Sequence, residues 1–210
     1  NCLVSISDAD NDTVTESFAW YVNGALQSET TSTFIGPFVY GESVTCRATP
    51  NDGTTDGNFV ESSETVQNTI PVVDSITLSP STVYTNNSIT ATVVYSDPDT
   101  YQMNNYYVGG DFSWYVNGSY VGGGMMSDNL SFDNFVKGDT VYVVVTPFDG
   151  VTTGTPVQSS TVTISNSVPV ITDVTVTPDP ATAGTDDLTC TVTGYDNDGD
   201  TILYTYECII

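Results

Sequence analysis

The chain repeats itself, and the period limits what it can fold into. Trp20-Tyr21-Val22-Asn23-Gly24 returns as Trp114-Tyr115-Val116-Asn117-Gly118, an offset of 94. Thr49-Pro50-Asn51-Asp52-Gly53 returns as Thr146-Pro147-Phe148-Asp149-Gly150 at 97, and Asn68-Thr69-Ile70-Pro71-Val72 as Asn166-Ser167-Val168-Pro169-Val170 at 98. Self-similarity at a fixed spacing marks separate copies of one structural unit. The register gives a first repeat over 1–68 without its opening strand, a complete repeat over 69–166 and the first part of a third over 167–210. The chain opens on Asn1 rather than Met and reads as a portion of a longer protein.

Each copy reads as strands. Phe18, Trp20 and Val22 alternate with polar or exposed positions, as do Val44, Cys46 and Ala48, and Val141, Val143 and Val145. Period-two alternation rich in Val, Thr and Tyr predicts half-buried antiparallel strands. Asn23-Gly24 and Asn117-Gly118 are type I′ hairpin signals. The first repeat is expected to carry strand B at Cys2–Ser7, C at Ser17–Val22, F at Ser43–Thr49 and G at Glu61–Gln67. The second carries A at Asp74–Leu78, B at Ser88–Tyr95, C at Asp111–Val116, F at Thr140–Thr146 and G at Ser159–Ser165; the third, A at Asp173–Thr177, B at Leu188–Thr193 and C at Leu203–Ile210. Gly122-Gly123-Gly124-Met125-Met126 reads as a mobile loop inserted between strands.

With Cys2 on strand B, Trp20 on strand C and Cys46 on strand F, the chain resembles the immunoglobulin-like β-sandwich. Taken with the three repeated motifs, it is similar to the tandem immunoglobulin-like repeats of large secreted or surface proteins of bacteria and archaea. The resemblance implies an all-β, Greek-key fold strung into a rod-like array. It also implies a Cys2–Cys46 bridge between the sheets with Trp20 packed on it. The second repeat has Ala91 and Val143 at the two cysteine positions while Trp114 stays, as expected of two residues that share one bond. Two buried thiols in a reducing compartment are the other reading. Cys190 matches Cys2, but Cys208 stands where strand C would carry Trp. Either those two pair with each other or one pairs outside the chain.

Composition removes several functions. Twenty-six acids face two basic residues, Arg47 and Lys137, for a net charge of −24. Such a chain lacks the Lys and Arg that nucleic acids and anionic membranes require, and no apolar run approaches the roughly 18 residues of a membrane span. There is no histidine, hence no Ser-His or Cys-His pair and no histidine metal ligand. Paired carboxylates could hydrolyse a glycoside, but the acids sit in turn-like clusters, and the expectation is a protein that is not an enzyme.

Those clusters are the candidate metal sites. The B–C loop reads Asp8-Ala9-Asp10-Asn11-Asp12, then Asp97-Pro98-Asp99, then Asp196-Asn197-Asp198-Gly199-Asp200. Alternate aspartates present several oxygens to one hard cation such as Ca²⁺; they also make ordinary solvated turns, and both readings stand. In a head-to-tail array the B–C loop faces the preceding repeat, so Asp97, Asp99 and Asp149 would serve the first junction and Asp196, Asp198 and Asp200 the second. The third loop even places Glu207 at the twelfth position, but Thr201 replaces the glycine of an EF-hand and the flanks are strands.

Asn11, Asn86, Asn117 and Asn129 lie in formal glycosylation sequons. Tyr101, Tyr106, Tyr107 and Tyr120 could stack on sugars or pack across strands. The resemblance implies an extracellular or cell-surface spacer with a structural or adhesive role. Its partners would be neighbouring repeats, with assembly into a homopolymer if residues 169–187 complete the first repeat of another copy. The alternative is a ligand-binding module that grips a glycan or a surface protein.

Overall fold

The structure is a computed structural model that describes residues 1–9, 12–98 and 108–207. It contains two compact units. One is Asn1–Pro71 with Asp97–Val108 and Asp149–Thr153; the other is Val72–Ser96, Gly109–Phe148 and Gly154–Ile210.

In the first unit, β1 (Thr15–Val22), β2 (Ala25–Leu26), β3 (Ser43–Asn51) and β4 (Val60–Thr65) form one antiparallel sheet in the order β2-β1-β3-β4. Asn23 and Gly24 turn β1 into β2 at φ 49° and 81°, the left-handed geometry that Asn and Gly accept most readily. Trp20 lies opposite Cys46 in the β1–β3 ladder, and both are buried with Ala48. Cys2 is disulfide-bonded to Cys46. The Trp20 indole donates to Thr31 O at 2.9 Å, and Cys2 N donates to Ser32 O at 2.7 Å. Cys2–Ser7 was expected to be strand B, but it enters no sheet. A strand needs ladder partners, and among the described residues none pairs with Cys2–Ser7.

In the second unit, β5 (Val72–Ser79), β6 (Val83–Tyr84), β7 (Ile89–Ser96), β8 (Gly109–Val116), β9 (Ser119–Met125) and β10 (Asn129–Leu130) precede β11 (Thr140–Phe148), β12 (Val157–Gln158) and β13 (Val162–Ser165). They make two layers, β10-β7-β5 and β6-β13-β11-β8-β9, with β12 also on β11. The opening strand thus changes sheets between β5 and β6, and β6 pairs parallel to β13. This is the two-sheet, crossed-over order of an immunoglobulin-like sandwich. Inward positions of both layers fill the core: Ile89 and Ala91 face Trp114, Val141, Val143 and Val145, all nearly or fully buried. Ala91 and Val143, at the cysteine positions of the first repeat, pack here as apolar core. The Trp114 indole donates to Ser127 O at 3.0 Å, repeating the Trp20 bond.

Two strands depart from expectation. The last strand of the second repeat is split into β12 and β13. Ser159 ties the break to β11, its N donating to Val143 O at 2.9 Å and its Oγ accepting from Val143 N at 3.1 Å. Gly122-Gly123-Gly124 is not a loop but the middle of β9, in register with Trp114, Ser113 and Phe112. Gly123 sits at φ 153°, and a Cβ there would lie 1.8 Å from Phe112 O, so the glycines permit a close approach rather than mobility.

The third repeat contributes β14 (Val170–Thr177) and β15 (Thr189–Tyr195), an antiparallel pair. Its expected strand C over 203–210 forms no strand across 203–207, and the remaining three residues, Cys208 among them, lie outside the described residues. Among the described residues no strand pairs with 203–207. Among the described residues Cys190 is a free, exposed thiol.

Candidate functional site: aspartates that hold the linkers

The linker motif Asn-Thr/Ser-Xaa-Pro meets loop aspartates each time it occurs. In the first unit, Asp149 closes a tight turn, with Oδ1 accepting from Val151 N at 2.7 Å and Thr152 N at 2.6 Å. Its Oδ2 accepts from Asn68 Nδ2 at 2.9 Å and Thr152 Oγ1 at 3.2 Å. The next linker residue, Thr69, donates its hydroxyl to Asp97 Oδ1 at 3.0 Å. Asp97 and Asp149 are both buried, at 9% and 7% exposure. Burial alone pushes the Asp149 carboxyl up. Donation from Asn68, Thr152 and Val151 outweighs it and holds the group below its ordinary value. The equivalent Asp52 makes the same turn, accepting from Thr54 N and Thr55 N at 2.7 Å each.

The second unit repeats the theme with different donors. Asp198 accepts from the Ser167 backbone N–H and from the Thr85 hydroxyl, and those two residues approach each other at 3.3 Å. The Thr85 hydroxyl, the Ser167 amide and the Lys137 charge hold the Asp198 carboxyl below its ordinary range against the push of burial. Lys137, the chain's one lysine, sets its ammonium on both oxygens of Asp200, at 2.6 Å from Oδ1, and that bond raises its own pKa. Asp196 Oδ1 caps the loop by accepting from Asp198 N at 2.8 Å.

Of the nine aspartates expected to bind a cation, three are gathered among the described residues. Carboxylate oxygens of Asp196, Asp198 and Asp200 lie within 4.8 Å of one another. They suit a hard cation, but the Lys137 ammonium already neutralises Asp200. Asp97 and Asp149 receive linker donors. Asp8 accepts from Asp12 N at 3.2 Å, a turn bond within the first B–C loop. Asp10 and Asp99 lie outside the described residues, as do Asn11, Tyr101, Tyr106 and Tyr107.

The remaining expectations find mostly structural roles. Tyr115 stacks on Tyr142 with ring centroids 4.9 Å apart and planes at 9°, and Tyr120 packs edge-on to Tyr115 at 5.9 Å. The three rings pack across strands β9, β8 and β11, with Tyr120 still 60% exposed. Arg47 lies between the rings of Tyr21 and Phe59, 5.0 and 4.2 Å from their centroids, and pairs with Glu61 at 2.8 Å. A cleft of about 340 Å³ in the first unit is walled by Leu3, Trp20, Phe34, Phe38 and the disulfide, with Glu64 its single carboxylate.

No family model matches the chain, and no curated protein does. Among the solved structures that it is similar to are two of fibronectin type III or type III-like domains. The FN1-FN3 domains of chicken CNTN1 are similar over 73% of this chain and 57% of that one, at 10% identity and a TM-score of 0.32. The fibronectin(III)-like modules of Clostridium thermocellum CbhA are similar over 77% and 82%, at 17% identity and 0.29. The chain therefore spans 57% of the length of the first of these. The immunoglobulin-like fold rests on strand order and register, not on these scores.

The linker role of the aspartates is not among the roles expected from the sequence. The signal was present: the Asn-Thr/Ser-Xaa-Pro motif and the loop aspartates recur together, and each linker supplies donors where each loop supplies acceptors.

Proposed function

We propose that the chain is an extracellular structural spacer, a run of immunoglobulin-like sandwiches whose linkers are fastened by aspartates. The observation that carries this is the recurrence of the fastening: Asn68 and Thr69 on Asp149 and Asp97, Ser167 on Asp198. A short linker with free side chains leaves its neighbours to move. A linker whose donors are captured by carboxylates that other groups also hold in place loses that freedom. A disulfide fits an oxidising compartment, and the −24 charge keeps such a protein dispersed. Small-angle scattering tests the reading. Asp97→Ala with Asp149→Ala, or Asp198→Ala, should broaden the distribution of maximum dimension while the β circular-dichroism spectrum stays. Scattering identical to the parent chain would sink the proposal.

Two finer points belong to the same reading. Calcium would sit on Asp196, Asp198 and Asp200 in competition with Lys137. Self-assembly by strand addition is favoured by one observation: every residue of β14 is exposed, including Val170, Ile171, Val174 and Val176. Sedimentation that does not change with concentration removes the second point without touching the spacer role.

A further inference from the structure

We infer that Asn86 is the N-glycan acceptor among the described sequons. All four sequons carry the required Asn-Xaa-Ser/Thr pattern, so sequence alone ranks none above another. The structure separates them by what each side-chain amide is doing. Asn117 sits in the type I′ turn at φ 49°; its Nδ2 donates to Asp139 Oδ1 at 2.7 Å and its Oδ1 accepts from Thr140 N at 3.0 Å. A glycan on Asn117 Nδ2 would break the turn's own bracing. Asn129 lies in β10 and donates from Nδ2 to Thr90 Oγ1 at 3.0 Å. Asn86 differs on both counts. It stands exposed in the turn after β6, and among the described residues no hydrogen bond engages its amide.

The turn does not need Asn86. Asn87 braces it, with Oδ1 accepting from Tyr84 N and N donating to Tyr84 O, both at 3.0 Å. Ser88, the third residue of the sequon, is also exposed. The reaction is transfer of an oligosaccharide from a lipid-linked phosphate or pyrophosphate donor by a separate transferase. The Asn86 amide nitrogen forms a bond to the anomeric carbon as the bond from that carbon to the donor phosphate oxygen breaks. The amide proton passes to a base and the lipid phosphate leaves.

The inference goes beyond the spacer reading but shares its secretory route, and one digest separates the two. Protein isolated from its natural source is cleaved without reduction by an aspartate-directed protease. Asp74–Ser96 then carries Asn86 as its sole sequon, while Asp111–Ser127 and Asp128–Phe132 carry Asn117 and Asn129. The expected result is an oligosaccharide mass on Asp74–Ser96, lost in Ser88→Ala protein from the same source. Asp74–Ser96 at its unmodified mass overturns the inference, as does an added mass that survives Ser88→Ala. If Cys2 and Cys46 are found linked in that same digest, the extracellular reading stands even where the glycan fails.

Discussion

Asp149→Ala is the substitution that best exposes how the linker is held. The carboxylate accepts from Val151 N, Thr152 N, Thr152 Oγ1 and Asn68 Nδ2 at 2.6–3.2 Å, and the residue is 7% exposed. Hydrogen bonds to a charged group contribute about 1.5–3 kcal/mol each, less where donors can turn to water, so the whole substitution should cost about 2–4 kcal/mol. The linker's share follows from a double-mutant cycle with Asn68→Ala, with a coupling of about 1 kcal/mol, roughly fivefold in the unfolding constant. Urea unfolding followed by tryptophan emission suits the measurement, because Trp20 and Trp114 are both buried. The pH dependence has a definite sign. Burial raises the folded-state pKa of Asp149, its donors lower it further, and the net value is depressed. Its contribution is therefore present above the ordinary carboxylate value of about 3.9. It is lost as pH falls through the folded value, so the penalty of Asp149→Ala should shrink below about pH 4. A coupling indistinguishable from zero at pH 7 would refute the argument that Asp149 fastens Asn68.

Three further outcomes are expected. Cys2→Ser with Cys46→Ser should destabilise the first repeat by about 2–4 kcal/mol, and reducing agent should reproduce this in the parent chain; unfolding curves that overlay with and without reductant would contradict it. Trp114→Ala should cost about 3–5 kcal/mol, as large-to-small core changes do, and a melting temperature unchanged by it would show that the second repeat is not packed on that ring. Isothermal titration with Ca²⁺ should give weak binding that strengthens in Lys137→Ala and disappears in Asp198→Asn; no heat in the Lys137→Ala protein argues that the three carboxylates serve only as turn and linker acceptors.

The sandwich was legible wherever local chemistry and tertiary demand agree. Asn-Gly after Trp-Tyr-Val announced the hairpins at Asn23-Gly24 and Asn117-Gly118, since that dipeptide tolerates the positive φ the turn requires. Alternation in Val141, Val143 and Val145 placed the core, since one face of a half-buried strand must be apolar. The failures share a cause: they depend on partners distant in sequence. Gly122–Gly124 looks like a loop until one knows that the Phe112 carbonyl presses against it. Cys2–Ser7 and Leu203–Glu207 have strand composition but lack ladder partners. That Asp97, Asp149 and Asp198 accept linker donors was not legible either, because such a carboxylate and one that binds a cation look alike in sequence.

The two basic side chains carry a consequence for survival outside a cell. A trypsin-like protease needs an unencumbered Arg or Lys in a segment that can be drawn out straight. Here the Arg47–Ala48 bond lies within a laddered strand, its guanidinium wedged between aromatic rings, and Lys137 is clasped by Asp200 beside a turn that Gly138 N pins to Ile164 O at 2.9 Å. Through scarcity and restraint together, the folded chain leaves that class of digestive enzyme almost no place to begin.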